Sequence, residues 1–132
     1  MTIDEKQDEI VSRLSKMKDC IDKHVYLVGL AKARPALEER YRTPDNALPG
    51  CESRVWVHIE TAGGRVFYSA DSDSLIIKGI LALLTEVLDG HSPDDISKAE
   101  LDLLRRTGLE AALSPSRARG VAALLRRMQA VT

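Results

Sequence analysis

The sequence contains few of the residues that mark common chemical sites. It has two cysteines, Cys20 and Cys51, and three histidines that lie far apart in the chain. It has no CxxC pair and no two histidines four residues apart, so it offers no ligand set for structural zinc. The glycine-rich loops that bind nucleotide phosphates and the GxSxG turn of serine hydrolases are also missing. We therefore expect no resident metal and none of these catalytic sites.

The chain also lacks an excess of either basic or acidic residues, and it has few aromatic residues. The chain has 19 basic and 20 acidic residues, a net charge of −1 and only 4% aromatic residues. Tight nucleic-acid binding usually needs a clear basic excess or aromatic side chains that stack on bases. No apolar run reaches the roughly 18 residues of a membrane-spanning helix, and the charged N-terminus lacks the apolar stretch of a signal peptide. These absences favour a cytoplasmic protein with reduced cysteines that binds neither nucleic acid nor membrane.

The length of the chain and its helical periodicity predict one domain, residues 1–132, with several helices. Asp71 and Asp73 precede the longest apolar run, where aspartate side chains commonly cap a helix. The apolar spacing predicts helices over residues 4–20, 25–33, 75–88 and 97–106, and a last helix that starts within residues 113–117.

Between these helical patterns, residues 54–60 and 65–70 alternate apolar and polar side chains around the pair Gly63-Gly64. This alternation is typical of two antiparallel strands joined by a tight turn. Because an isolated hairpin is marginally stable, it must pack against helices. The predicted fold class is therefore α+β, with a small antiparallel sheet packed against several α-helices.

Cys51 follows a long segment, residues 34–50, that is rich in turn residues and ends in Pro49-Gly50. A long loop inside a compact domain is often functional. Two interpretations of Cys51 stay open on this pattern, an inert small residue at the start of a strand and a reactive thiol. No feature of the sequence links a histidine to Cys51, which argues against a cysteine hydrolase. Cys20 lies beside the apolar stripe of the first helix, so we expect it to be structural or chemically neutral.

Three blocks of residues resemble the SufE family and occur in the same order. The first is NALPGCESRVW, residues 46–56, which is similar to the active-site pattern GC-x-S-x-VW. The second is DSDSLIIKG, residues 71–79, and the third is LSPSR, residues 113–117, followed by Gly120. The likeness covers about residues 8–130, and it implies a fold shared by the SufE and IscU families.

The resemblance implies a sulfur acceptor and carrier rather than an enzyme. Proteins of this family take the persulfide sulfur of a pyridoxal-phosphate-dependent cysteine desulfurase of the SufS or CsdA kind, and they stimulate that desulfurase. They pass the sulfur to iron–sulfur cluster assembly, typically to a SufBCD-like scaffold complex. By this likeness Cys51 accepts the sulfur by transpersulfidation, and pyridoxal phosphate belongs to the partner alone. The protein itself would hold no cofactor and would be a monomer or a weak homodimer.

The same likeness implies further residues of the loop and of the partner-binding surface. They are Gly50, Glu52, Ser53, Arg54, Asp71, Asp73, Lys78 and Arg117. Arg117 stands near the start of a helix, where a cation is unfavourable, so we expect it to form an ion pair, for which Asp73 is one candidate, or to contact a partner. Glu52 and Arg54 occupy positions where relatives often have glutamine, and this difference alters the charge beside the thiol.

Three alternatives remain at this point. A CsdE-like carrier would perform the same chemistry but deliver sulfur to another pathway. An iron–sulfur scaffold protein would need about four ligands, largely cysteines, and the loop offers Cys51 alone. A partner-binding module would leave Cys51 idle.

Overall fold

The computed structural model describes residues 1–49 and 53–131. This part of the chain contains six α-helices and one two-stranded antiparallel sheet, which confirms the predicted α+β class. The helices are α1 (Ile3–Ser15), α2 (Cys20–Ala33), α3 (Leu75–Leu88), α4 (Pro93–Lys98), α5 (Leu103–Arg106) and α6 (Pro115–Gln129). The strands are β1 (Val55–Ala62) and β2 (Arg65–Ser72).

The two strands form the hairpin that the alternation predicts. Their register runs from Ala62 opposite Arg65 at the turn to Val55 opposite Ser72 at the open end. Gly63 and Gly64 make the turn with φ angles of 59° and 75°, a left-handed conformation that glycine adopts without strain. Each strand extends two residues further than its sequence pattern predicted, because pairing continues beyond the alternating residues.

The predicted bounds of the first two helices are wrong. The first helix ends at Ser15, not at residue 20, and the second begins at Cys20, not at Val25. The side chain of Asp19 accepts a hydrogen bond from the Asp22 amide and so caps the start of α2. Cys20 is consequently the exposed first residue of α2, and its predicted place beside the apolar stripe of the first helix is wrong.

The predicted helix over residues 97–106 is also wrong. Two shorter helices, α4 and α5, replace it, with extended backbone at Ala99 between them. The start of α4 is set by Ser92, whose side chain accepts from the Asp95 amide. The amides at the start of α5 donate to the side-chain oxygen of Gln7 in α1, an interaction that no local pattern could indicate.

Helix α3 is the centre of the core. Nine of its 14 residues are buried, and α2 and β2 pack against it. Each fully buried Leu or Ile contributes about 1.5–3 kcal/mol relative to an exposed side chain, so this helix supplies much of the stability. At Gly79 the backbone of α3 lies directly against the Leu27 carbonyl of α2.

The segment before Cys51 is held along the outer side of β1. The Leu48 amide donates to the Val55 carbonyl, and the Val57 amide donates to the Asn46 carbonyl, both at 2.9 Å. The predicted long loop is therefore anchored to the sheet where it approaches the sequence position of Cys51.

Candidate functional site

Three predicted site residues, Gly50, Cys51 and Glu52, lie outside the described residues. The structure describes Pro49 and Ser53 on either side of them and the other five predicted residues. These described residues define the surroundings of the segment 50–52.

All three sequence blocks meet at one small cavity. Ser53 belongs to the first block, Ile77 to the second, and Arg117 to the third, and all three line the cavity. Its volume is about 10 Å³, close to the smallest space that holds one water molecule. The remaining lining residues are Val55, Ser116, Gly120, Val121 and Leu124. The cavity thus lies against Ser53, two residues after Cys51 in the chain, and its lining is mainly apolar.

Asp73 holds the backbone at the start of β1. Its carboxylate accepts from the Arg54 amide at 3.0 Å, and its own amide donates to the Arg54 carbonyl at 3.2 Å. The Ser72 hydroxyl also donates to that carbonyl, at 2.7 Å. The expectation that Asp73 caps α3 is wrong, because the side chain of Ser74 accepts from the Ile77 amide and caps the helix instead.

Asp71 does not cap α3 either, because its carboxylate is buried in a network of donors. It accepts from Arg42 at 2.6 Å, from Lys78 at 3.2 Å and from the Leu37 amide at 3.0 Å. Burial alone would raise the pKa of this carboxyl, but the hydrogen bonds from the Leu37 and Ser72 amides and from Lys78 outweigh it and lower the pKa. A charged Asp71 therefore ties the segment that precedes Cys51 to α3.

The predicted basic residues have different surroundings. The ammonium of Lys78 contacts Asp71, and its side chain is only 14% exposed, so it is a structural residue of this network. The side chain of Arg117 lies within 4 Å of no acid among residues 1–49 and 53–131, so the ion pair suggested with Asp73 does not form there. Arg54 is exposed, and its backbone alone is held by Asp73 and Ser72.

Two helices begin at the cavity. Ile77 lies in the first turn of α3, and Ser116 and Arg117 lie in the first turn of α6. The N-terminal end of each helix carries a partial positive charge of roughly half a unit. Together with the guanidinium of Arg117, these helix ends make the cavity favourable for a negatively charged group.

Sequence reasoning missed Arg42. Its guanidinium contacts Asp71 and also lies over the ring of Trp56, 4.5 Å from the ring centre. A single arginine in a long irregular segment carries no periodic signal. It could have been found only by asking which cation neutralises the buried aspartate.

Comparison with known proteins decides the family. The family model SufE, described as an Fe-S metabolism associated domain, matches residues 8–132. The chain belongs to the SufE family. Membership associates it with iron–sulfur metabolism and confirms the resemblance inferred from the three blocks.

Relatives and a solved structure agree with this membership. An uncharacterized SufE-like protein of Synechocystis sp. is 32% identical over 92% of this chain and 76% of its own length. A second one, from Rhizobium etli, is 29% identical over 92% of this chain and 86% of its own length. The solution structure of a hypothetical protein from Thermus thermophilus has a TM-score of 0.73 at 25% identity, covering 95% of this chain and 91% of that one. The SufE fold predicted from the sequence is therefore confirmed.

The described residues contain neither a membrane-spanning helix nor a cluster of metal ligands. No helix in residues 1–49 and 53–131 is long and apolar enough to cross a membrane. The same part of the chain contains no group of three or more His, Cys, Asp or Glu side chains placed to hold a metal ion.

Proposed function

We propose that this protein is a sulfur acceptor and carrier for iron–sulfur cluster assembly. Cys51 takes sulfur from a pyridoxal-phosphate-dependent cysteine desulfurase and passes it to a scaffold complex. The observation that carries the proposal is the meeting of the three family blocks at one cavity beside Ser53, two residues after Cys51 in the chain. Residues from three distant parts of the sequence line this one cavity of about 10 Å³, which supports a shared role in the chemistry of Cys51.

The transfer step involves three sulfur atoms, those of Cys51, of the donor cysteine and the transferred sulfur between them. The thiolate of Cys51 attacks the terminal sulfur of the persulfide on the desulfurase cysteine. A new S–S bond forms on Cys51, the S–S bond of the donor breaks, and the donor cysteine leaves as a thiolate. The exchange consumes no oxidant or reductant, and it needs no catalytic triad. Removing the persulfide frees the desulfurase for its next turnover, which is how the carrier would stimulate it.

The electrostatics of the cavity support this chemistry. A thiolate and a persulfide anion both carry negative charge, and the N-terminal ends of α3 and α6 and the cation of Arg117 stabilise such charge. The apolar part of the lining, which includes Val55, Ile77 and Leu124, would shelter a terminal sulfur from water. In this proposal the chain is a single domain without a cofactor of its own, and it works in the cytoplasm as a carrier and not as an enzyme.

Intact-protein mass spectrometry tests the proposal. The protein is incubated with a cysteine desulfurase and cysteine in the absence of reductant. We expect a species heavier by one sulfur atom in the wild type and in Cys20→Ser, and none in Cys51→Ser. If the wild type gains no sulfur although Cys51 can be alkylated, or if Cys51→Ser gains as much as the wild type, Cys51 is not the acceptor.

A further inference from the structure

A larger groove adjoins the cavity and shares Arg117 with it. Its volume is about 560 Å³, and it lies between the start of α2, the start of α3 and the segment that leads into α6. Apolar side chains make up much of its lining, namely Ile21, Leu27, Ile76, Ile80, Leu109 and Leu113. This size and lining are typical of a binding site and not of a packing defect.

Large apolar side chains are exposed on two of the helices that line the groove. On α2, Ile21 is 73% exposed and Val25, one turn later, is 64% exposed. At the start of α3, Leu75 is 45% exposed. Exposed apolar side chains that cluster beside a groove are typical of a protein-binding surface, because a small ligand inside the groove would leave them uncovered.

The charged side chains that line the groove are all positive. Lys23 and Arg117 contribute cations, and no Asp or Glu of the described residues lines the groove. Three helices also begin there, since Cys20, Ile76 and Ser114 lie in or at the first turn of α2, α3 and α6. Their N-terminal ends add partial positive charge. A complementary occupant is apolar and acidic.

We propose that this groove binds an acidic, apolar segment of the cysteine desulfurase. The inference rests on the proposed function and specifies where its sulfur donor is held. The donor has to bring its persulfide to the cavity beside Ser53, and the groove meets that cavity at Arg117. A segment anchored in the groove would keep the donor in place while its persulfide reaches Cys51.

Binding of the desulfurase to the full-length protein, measured by isothermal titration calorimetry, tests the groove. Ile21→Asp places an acid on the exposed apolar rim, and we expect it to raise Kd about tenfold or more. His24→Glu adds an acid to the lining and should raise Kd similarly. Because both residues are exposed, the substitutions leave the core intact.

Phe67→Asp is the matched control. Phe67 is 40% exposed, but it lies near Gly90, beyond the C-terminal end of α3. Since a 14-residue helix is about 20 Å long, this position is far from the groove at the start of α3. We expect Phe67→Asp to bind within about twofold of the wild type.

The outcomes separate this inference from the proposed function. If Ile21→Asp and His24→Glu bind like the wild type, or Phe67→Asp weakens binding equally, the groove is not the docking site. Sulfur uptake by the wild type in the mass assay would then still uphold the carrier function. If the wild type neither binds the desulfurase nor gains sulfur, both proposals are wrong.

Discussion

At the scale of single residues, the buried carboxylate of Asp71 has the largest expected effect on stability. Asp71→Asn leaves Arg42 and Lys78 without the charge that neutralises them, although their side chains are only 23% and 14% exposed. Breaking a buried pair in this way costs about 3–5 kcal/mol. We expect the free energy of unfolding, measured by urea denaturation at pH 7, to fall by about that amount.

The same carboxylate makes stability depend on pH. Its pKa in the folded protein lies below the ordinary value of 3.8, so its contribution is complete above that value and is lost as the pH falls through the folded pKa. Between about pH 5 and pH 2 the wild type should therefore lose more stability than Asp71→Asn. Exposed Asp4→Asn should follow the wild type. An acid dependence that is equal in wild type and Asp71→Asn would contradict this role for Asp71.

At the scale of elements, the contact of α2 with α3 depends on Gly79. A Cβ at this position would overlap the Leu27 carbonyl oxygen and lie 2.9 Å from its carbon, so the helices would have to move apart. We expect Gly79→Ala to lower the free energy of unfolding by about 1–3 kcal/mol, although alanine favours a helix over glycine by about 1 kcal/mol. Urea denaturation measures the change.

Gly29 provides the matched control on α2. A Cβ there meets no atom within 4 Å, so only the helix propensity changes. Gly29→Ala should raise the stability by about 0.5–1 kcal/mol. If the two substitutions shift stability in the same direction, the close approach at Gly79 does not limit the packing of these helices.

At the scale of the whole molecule, one side chain connects regions far apart in the sequence. Gln7 of α1 is 1% exposed; its amide nitrogen donates to the Glu100 carbonyl at 3.0 Å, and its oxygen accepts from the amides of Asp102 and Leu103. Gln7→Ala leaves these buried groups without partners, each worth about 1–3 kcal/mol. We expect a loss of at least about 2 kcal/mol in thermal and urea unfolding.

Amide hydrogen exchange makes the test of Gln7 more specific. Exchange at Leu103 should accelerate in Gln7→Ala, because its amide loses its acceptor. Ser12→Ala, on the exposed side of the same helix, should leave both stability and exchange near the wild type. Unchanged protection of Leu103 in Gln7→Ala would show that the hydrogen bond does not hold the start of α5.

The elements that the sequence predicted correctly have local causes. The bounds of α3, the start of α6 within residues 113–117 and the Gly63-Gly64 turn follow from apolar spacing, capping residues and glycine conformations within a few residues. The bounds of α5 were wrong because its first amides bond to Gln7, 95 and 96 residues earlier. Asp71 and Asp73 were assigned to a cap because they precede α3. Asp71 instead accepts from Arg42 and the Leu37 amide, and Asp73 accepts from the Arg54 amide.

The α+β class, the SufE family and Cys51 as the candidate acceptor could all be predicted from the amino-acid sequence, because they depend on residue spacing and on short motifs. That Ser53, Ile77 and Arg117 line one cavity and that Arg42 neutralises Asp71 became visible in the folded chain alone. The same holds for the three helices that begin around one groove. These contacts join residues tens of positions apart, and they exist because the packing of apolar faces around α3 brings those segments together.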